Sequence, residues 1–293
     1  MDINKIYNED CQESIKRIPD ASIDCILTDP PYLYLTGHKL DIPFNETALF
    51  SEFKRVLKKD GFVVLFGRGT SFYRWNTILS DLGFIFKEEC VWHKNYPSSP
   101  LLPICRIHET ASIHTKGKGI INRVKVPYIE KKKYDFDSII SDIKRLKTVL
   151  TNNNHLVAVE KYICTGVAIS ENKTIKSSTV TISSDTLGKA DRCVSIMKSM
   201  TEGMNESSII RETPEKFKAI HPTQKPVRLL ERLLALTTQP GSIVCDPFSG
   251  SGSTAVACIN TGRKFIGFEI DKEYYDASME RLKKALSEPK LAM

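Results

Sequence analysis

The chain has 293 residues and a mass of 33.1 kDa, 41% apolar and 26% charged, enough for one domain with a large core, or for one core plus a substantial insertion. No run approaches the roughly 18 uncharged apolar residues of a spanning helix, and Met1-Asp2-Ile3-Asn4-Lys5 lacks a signal peptide's apolar stretch. These features argue against a membrane protein or secreted precursor and for a cytoplasmic one. The net charge of +7 fits a polyanionic partner, and eight cysteines without a Cys-x-x-Cys pair favour reduced thiols over a zinc site or a disulfide framework.

In chain order, Ser22 to Thr28 is a short apolar run stopped by Asp29-Pro30-Pro31-Tyr32. It reads as a buried parallel strand, because two successive prolines cannot continue a ladder. From Thr47 to Lys59 the residues Leu49, Phe50, Phe53, Val56 and Leu57 recur at three and four, predicting a helix that closes before Gly61. A strand over 62–66, a helix over 71–82 and a strand from Phe84 to Trp92 follow. Between about Lys94 and Pro214 this rhythm is lost among prolines, glycines, Ser, Thr and an Asn152-Asn153-Asn154 triplet. Residues 117–216 hold 17 Lys and Arg against 12 Asp and Glu, so most of the net charge falls there. Lys131, Lys132, Lys133, Lys144 and Arg145 are the candidate phosphate contacts, and a solvated lysine face is the other reading.

The rhythm resumes with a helix over 226–238, a strand over 242–246, a glycine-rich loop, a helix to Gly262, a strand over 264–270 and a helix over 273–286. Alternation on both sides of an insertion predicts one α/β, doubly wound, mostly parallel sheet assembled from both ends of the chain. The loop Asp246-Pro247-Phe248-Ser249-Gly250-Ser251-Gly252-Ser253-Thr254-Ala255 contains Gly-x-Gly-x-x-Ala between strand and helix, and Glu269 follows Gly250 by nineteen residues. Glycines admit a nucleoside-type ligand, and an acid after the second strand suits two ribose hydroxyls. Asp246 would repel a pyrophosphate and suits the cationic methionine end of S-adenosylmethionine.

Asp29-Pro30-Pro31-Tyr32 offers a carboxylate, a proline carbonyl and an aromatic face in one rigid turn, matching a planar base with an amino group taken out of a duplex. With these motifs in this order, the sequence strongly resembles the beta group of DNA amino-methyltransferases. The resemblance covers about residues 1–116 and 217–287, and implies a Rossmann-like, circularly permuted methyltransferase fold. It divides the chain into a catalytic half, 1–116, a target-recognition insertion, 117–216, and a cofactor-binding half, 217–293.

By that resemblance Asp29 and the Pro30 carbonyl accept from the target amino group, with Pro31 completing the turn and Tyr32 stacking on the base. Asp10 and Cys11 lie against the cofactor's adenine, Asp29 also touches the cofactor, and Thr223 and Lys225 stand near its carboxylate. Asp246, Phe248, Ser249, Gly250 and Gly252 form its loop, and Glu269 takes its ribose. His221 is read as a structural residue, as are Trp92-His93-Lys94 and His108-Glu109-Thr110.

The implied cofactor is S-adenosylmethionine, with no metal, and the implied activity is adenine-N6 methylation of double-stranded DNA. Cytosine-N4 methylation is the alternative, and an RNA or protein-amide substrate a more remote one. Aspartate at position 29 resembles the adenine-modifying members, whereas serine there is commoner among those acting on cytosine. A homodimer and a cognate restriction endonuclease are partners the resemblance brings with it. The loop 33–45, with Gly37, His38 and Lys39, is either a closing loop over DNA or an ordinary surface loop.

Overall fold

The apolar run before Asp29 forms strand β2 (Ile23–Thr28), in the middle of an eight-stranded sheet. A computed structural model describes residues 1–32, 41–97, 103–132, 135–150, 189–215 and 219–287. The sheet runs β1 (Lys5–Tyr7), β10 (Lys264–Phe268), β9 (Ile243–Asp246), β2, β3 (Leu57–Gly67), β5 (His108–Thr115), β4 (Ile85–His93) and β8 (Ile209–Arg211). Strands β1 to β3 in that order are parallel, β5 is antiparallel to both neighbours, and β8 is parallel to β4.

The two ends of the chain meet at β2 and β9, where Cys25 lies opposite Val244 and Ile26 opposite Cys245. From β2 the chain passes through α2 (Glu46–Val56) to β3 on one side. From β9 it passes through α8 (Ser253–Asn260) to β10 on the other. The strand order therefore reverses between β2 and β9, and a crevice opens at their carboxyl ends. Asp29 directly follows β2, Asp246 ends β9 and Glu269 directly follows β10, so this one topological fact gathers three carboxylates along one edge.

The helices obey their sequence patterns. Asn45 caps α2 by accepting from the Ala48 N–H at 3.0 Å, and Leu49, Phe50, Phe53 and Val56 bury its apolar stripe. The helix ends earlier than its apolar spacing predicts: Leu57 turns extended and opens a strand of 11 residues. There Lys58 reaches back to Asp24 at 2.8 Å, an ion pair a further helical turn would lose. With α3 (Gly69–Asp81), these elements enclose a core of Phe50, Phe53, Trp75, Leu79, Ile26 and Phe268. Helices α7 (Val227–Thr237) and α9 (Lys272–Ser287) complete the set around β9 and β10. The strand over 264–270 stops at Phe268, and the Asn8 amide donates to the carbonyls of Glu269 and Ile270 at 2.8 and 3.1 Å.

Strand β5 has no counterpart in the sequence reading. Its apolar residues Ala111 and Ile113 alternate with Ser112 and His114, which are buried as well, and the prolines before it and the glycines after it mask so short a pattern. The chain divides into two compact units, 1–123 with 207–293, and 124–206. The division falls inside the limits drawn from composition, because β8 pairs with β4 and belongs to the sheet. In the second unit β6 (Lys125–Val126) pairs with β7 (Met204–Asn205) beside α4 (Tyr128–Lys132), α5 (Phe136–Leu150) and α6 (Lys189–Glu202). Among the described residues no helix is long and apolar enough to cross a membrane.

Phe53 is fully buried in the core, so Phe53→Ala is expected to cost about 3–5 kcal/mol of stability. Urea unfolding followed by circular dichroism checks this, with the midpoint falling and the slope unchanged.

Candidate active site

The crevice at the strand ends is a cavity of about 490 Å³. Asp10, Cys11, Asp29, Pro30, Pro31, Tyr32, Thr223, Lys225, Asp246, Phe248, Ser249, Gly250 and Glu269 all line it. Fourteen residues were expected to form the catalytic and cofactor sites, and only Gly252 is not on this surface. Gly252 begins α8 at a φ of +71°, and a Cβ there would meet the Ser278 Cβ at 3.2 Å and the Ile6 Cδ1 at 3.4 Å. It serves the close passage of the loop beneath α9 and β1 rather than the cavity wall.

The loop itself is held from behind. The Ser249 N–H donates to the Phe268 carbonyl at 2.8 Å, and a Cβ on Gly267 would come within 2.3 Å of the Ser249 hydroxyl. Gly267 is therefore what lets the loop lie on β10, a role the fingerprint does not mark. The Arg281 guanidinium, half-buried behind the loop, donates to the Ser253 hydroxyl at 2.8 Å. The Phe248 ring leans over the cavity, 5.2 Å from Phe44.

Each carboxylate is accommodated differently. Glu269 accepts the Gly250 N–H at 2.7 Å and the Asp271 N–H at 2.8 Å, one on each oxygen. Burial raises its carboxyl, and those backbone donors act against the rise. Asp246 accepts the Phe248 N–H at 3.1 Å, and burial pushes its carboxyl up to about 7. Asp10 is the N-cap of α1 (Cys11–Ser14), accepting the Gln12 N–H at 2.9 Å. Burial first, and the Asp10 charge second, drive the Cys11 thiol well above its usual range, so it acts as an apolar wall.

Asp29 is the most engaged of them. Its Oδ1 accepts the Tyr32 hydroxyl at 2.6 Å and its Oδ2 accepts the Lys225 ammonium. Lys225 also lies 3.3 Å from Glu109 Oε2 and 5.0 Å above the Phe66 ring, while Lys94 holds Glu109 Oε1. Burial lowers the Lys225 ammonium, but the Asp29 and Glu109 carboxylates outweigh it, and the lysine is raised and charged. Burial raises Glu109, and Lys225 and Lys94 more than reverse this. Asp29, with one cation shared and Glu109 repelling it, is left raised by its burial.

Two residues are engaged in ways the sequence does not indicate. The Lys225 ammonium lines the cavity, as expected of a residue near the cofactor, but it is buried and turned onto two carboxylates. The residue read as structural, Glu109, lines the cavity. Because β5 runs antiparallel, with Thr110 opposite Gly67, its first residues reach the edge where the parallel strands end. An acid beside an apolar alternation was the available signal, but it is meaningful only once the strand's direction is known. The Thr223 hydroxyl lies 3.1 Å from His221 Nδ1, and the His221 ring stands edge-on to Tyr274 at 4.2 Å.

The basic candidates belong to the 124–206 unit. Lys131 donates to the Asn205 carbonyl and Lys132 to the Ser138 hydroxyl, with Asp142 3.6 Å from Lys132 and 3.5 Å from Arg145. Lys144 is exposed, and Lys133 lies outside the described residues, as does 33–40 of the expected closing loop. From the remainder of that loop Ile42, Pro43 and Phe44 line the cavity. Among the described residues no cluster of His, Cys, Asp and Glu is arranged to hold a metal.

Residues 23–280 match a family model described as DNA methylase, of the N6/N4 type. The type II methyltransferase M.HinfI of Haemophilus influenzae is 25% identical over 311 residues, covering 98% of this chain and 70% of that one. M.BglII of Bacillus subtilis, also a type II methyltransferase, is 27% identical over 293 residues, covering 96% and 69%. Among solved structures, the M1.HpyAVI–SAM complex superposes with a TM-score of 0.57 at 23% identity, over 94% of this chain and 98% of that one. The cytosine-N4-specific PvuII DNA methyltransferase gives 0.58 at 16%, over 96% and 89%. These two share the fold.

Asp246 carries a testable electrostatic cost. Burial pushes its folded carboxyl up to about 7, against 3.8 for the unfolded chain, so both states are protonated below about pH 4 and only the unfolded state ionises as pH rises from there. The native chain loses stability between about pH 4 and 7, by about 4 kcal/mol in all. Asp246→Asn removes that loss: at pH 8 its urea midpoint should exceed the native one, with the gap closing near pH 4.

Proposed function

The chain belongs to the N6/N4 DNA methylase family, and we propose that within it the protein is an adenine-N6 methyltransferase of double-stranded DNA. Its cofactor is S-adenosylmethionine. The cavity suits that cofactor: the Asp246 and Glu269 carboxylates answer an ammonium and a ribose diol, Phe248 offers an apolar face, and the loop brings backbone close. When bound it supplies a methyl group on a sulfonium, poised for direct displacement.

The observation that carries the reading is that Asp29-Pro30-Pro31-Tyr32 lines the same cavity as Asp246 and Glu269. A base amino nitrogen is a poor nucleophile while its lone pair is delocalised into the ring. Asp29 and the Pro30 carbonyl, accepting its two hydrogens, favour the pyramidal nitrogen that attacks, and Asp29 takes the departing proton. To do so Asp29 must exchange the Tyr32 hydroxyl, 2.6 Å away, for the amino group, which frees the Tyr32 ring to meet the extruded base. The preference for adenine rests on aspartate at position 29. The 124–206 unit supplies target recognition, with Lys144 and its basic neighbours meeting phosphate.

Transfer of labelled methyl from S-adenosylmethionine to unmethylated genomic DNA, followed by nucleoside analysis, is expected to yield N6-methyladenine at one short motif. N4-methylcytosine would overturn the choice of base, and no label in DNA would overturn the substrate. Asp29→Ala is expected to reduce transfer by at least about a hundredfold, while calorimetry still detects cofactor binding. Undiminished turnover would remove Asp29 from its role.

A further inference from the structure

The buried charges behind Asp29 form a chain, Lys94, Glu109, Lys225 and Asp29, with two cations and two anions. Tyr32 faces Asp29 from its own turn, and the Asp246 carboxyl feels the Asp29 charge. We infer that Glu109 is a positioning residue for methyl transfer, the anion that keeps the Lys225 ammonium in place while Asp29 exchanges partners for the target amino group. This rests on the assignment of Asp29 as the acceptor of that amino group.

The ammonium has three N–H donors. One goes to Asp29, and the aromatic face of Phe66, 5.0 Å from it, offers no hydrogen-bonding oxygen. Glu109 is therefore the acceptor left when Asp29 turns to the base. Its two oxygens divide the work: Oε1 is tied to the Lys94 ammonium, and the Lys94 backbone N–H donates to the Ile107 carbonyl at 2.8 Å. Oε2 is buried and already ion-paired with Lys225 at 3.3 Å, so it stands ready to take an N–H of the ammonium when Asp29 lets go. The ion pair is already within reach, so Lys225 can move fully onto Glu109 during the reaction. Without Glu109 the lysine would follow Asp29 and compete with the amino group for its oxygens.

The test is Glu109→Gln in the full chain, read first by carbon-13 NMR titration of the Asp29 carboxyl without DNA, assigned with Asp29→Asn. Losing the neighbouring negative charge is expected to lower the Asp29 midpoint by about one pH unit. In turnover, kcat should fall by about a hundredfold with the acid limb of its pH profile displaced downward, the cofactor dissociation constant within about twofold of native, and Glu109→Asp recovering part of the rate. An unmoved midpoint overturns the inference, as does a loss of cofactor binding and thermal stability with an unmoved pH profile, the mark of a structural residue. If Glu109→Gln does not fold, Lys94→Met leaves Glu109 uncompensated by its second cation and should raise the Asp29 midpoint; no movement is again fatal. The titration needs no DNA, so absence of methyl transfer to DNA would refute the proposed substrate and leave this test standing.

Discussion

The carboxylates of Asp29, Glu109, Asp246 and Glu269 are among those that line one cavity, and like charges in a poorly solvated space must each find a donor, a cation or a proton. The site uses all three solutions. Glu269 takes backbone N–H groups, Asp29 and Glu109 share the Lys225 cation, and Asp246 is pushed up to about 7, where it holds a proton through mildly acidic conditions. A cationic ligand beside Asp246 would supply the missing compensation, so the least satisfied acid is also the one best suited to a positive charge.

The same constraint explains why the site is assembled from distant parts of the chain. Parallel strands put their carboxyl ends on one edge, and the reversal of order between β2 and β9 leaves the crevice there uncovered. Lys225, just ahead of α7, brings the cation, and antiparallel β5 brings Glu109 to the edge by its amino end. The glycine loop can lie against β10 because Gly267 has no side chain to meet Ser249. Core packing around Phe50, Phe53 and Trp75 then fixes the strands that carry Asp29 and the Phe66 face under Lys225.

Much of this was legible from residues alone. Strand β2 was marked by apolar residues ending at two prolines, α2 by its spacing of three and four, and the glycine loop with Glu269 by local chemistry that acts within a few residues. These signals are local and therefore readable: φ restriction at proline, one apolar helix face, backbone access at glycine. The short strands β1, β5 and β8 were not legible, since strands of three to eight residues take their stability from partners far along the chain.

The sequence by itself determined that two motifs of complementary chemistry close neighbouring strands of one α/β sheet, because proline, glycine and apolar periodicity constrain the backbone directly. Only the tertiary structure decided what those motifs' charges do. Lys225 is 196 residues from Asp29, and whether it meets a solvent, a ligand or two buried carboxylates depends on strand order and direction. Coulombic partners are chosen by distance in space and by local dielectric, and neither is written in the spacing along a chain.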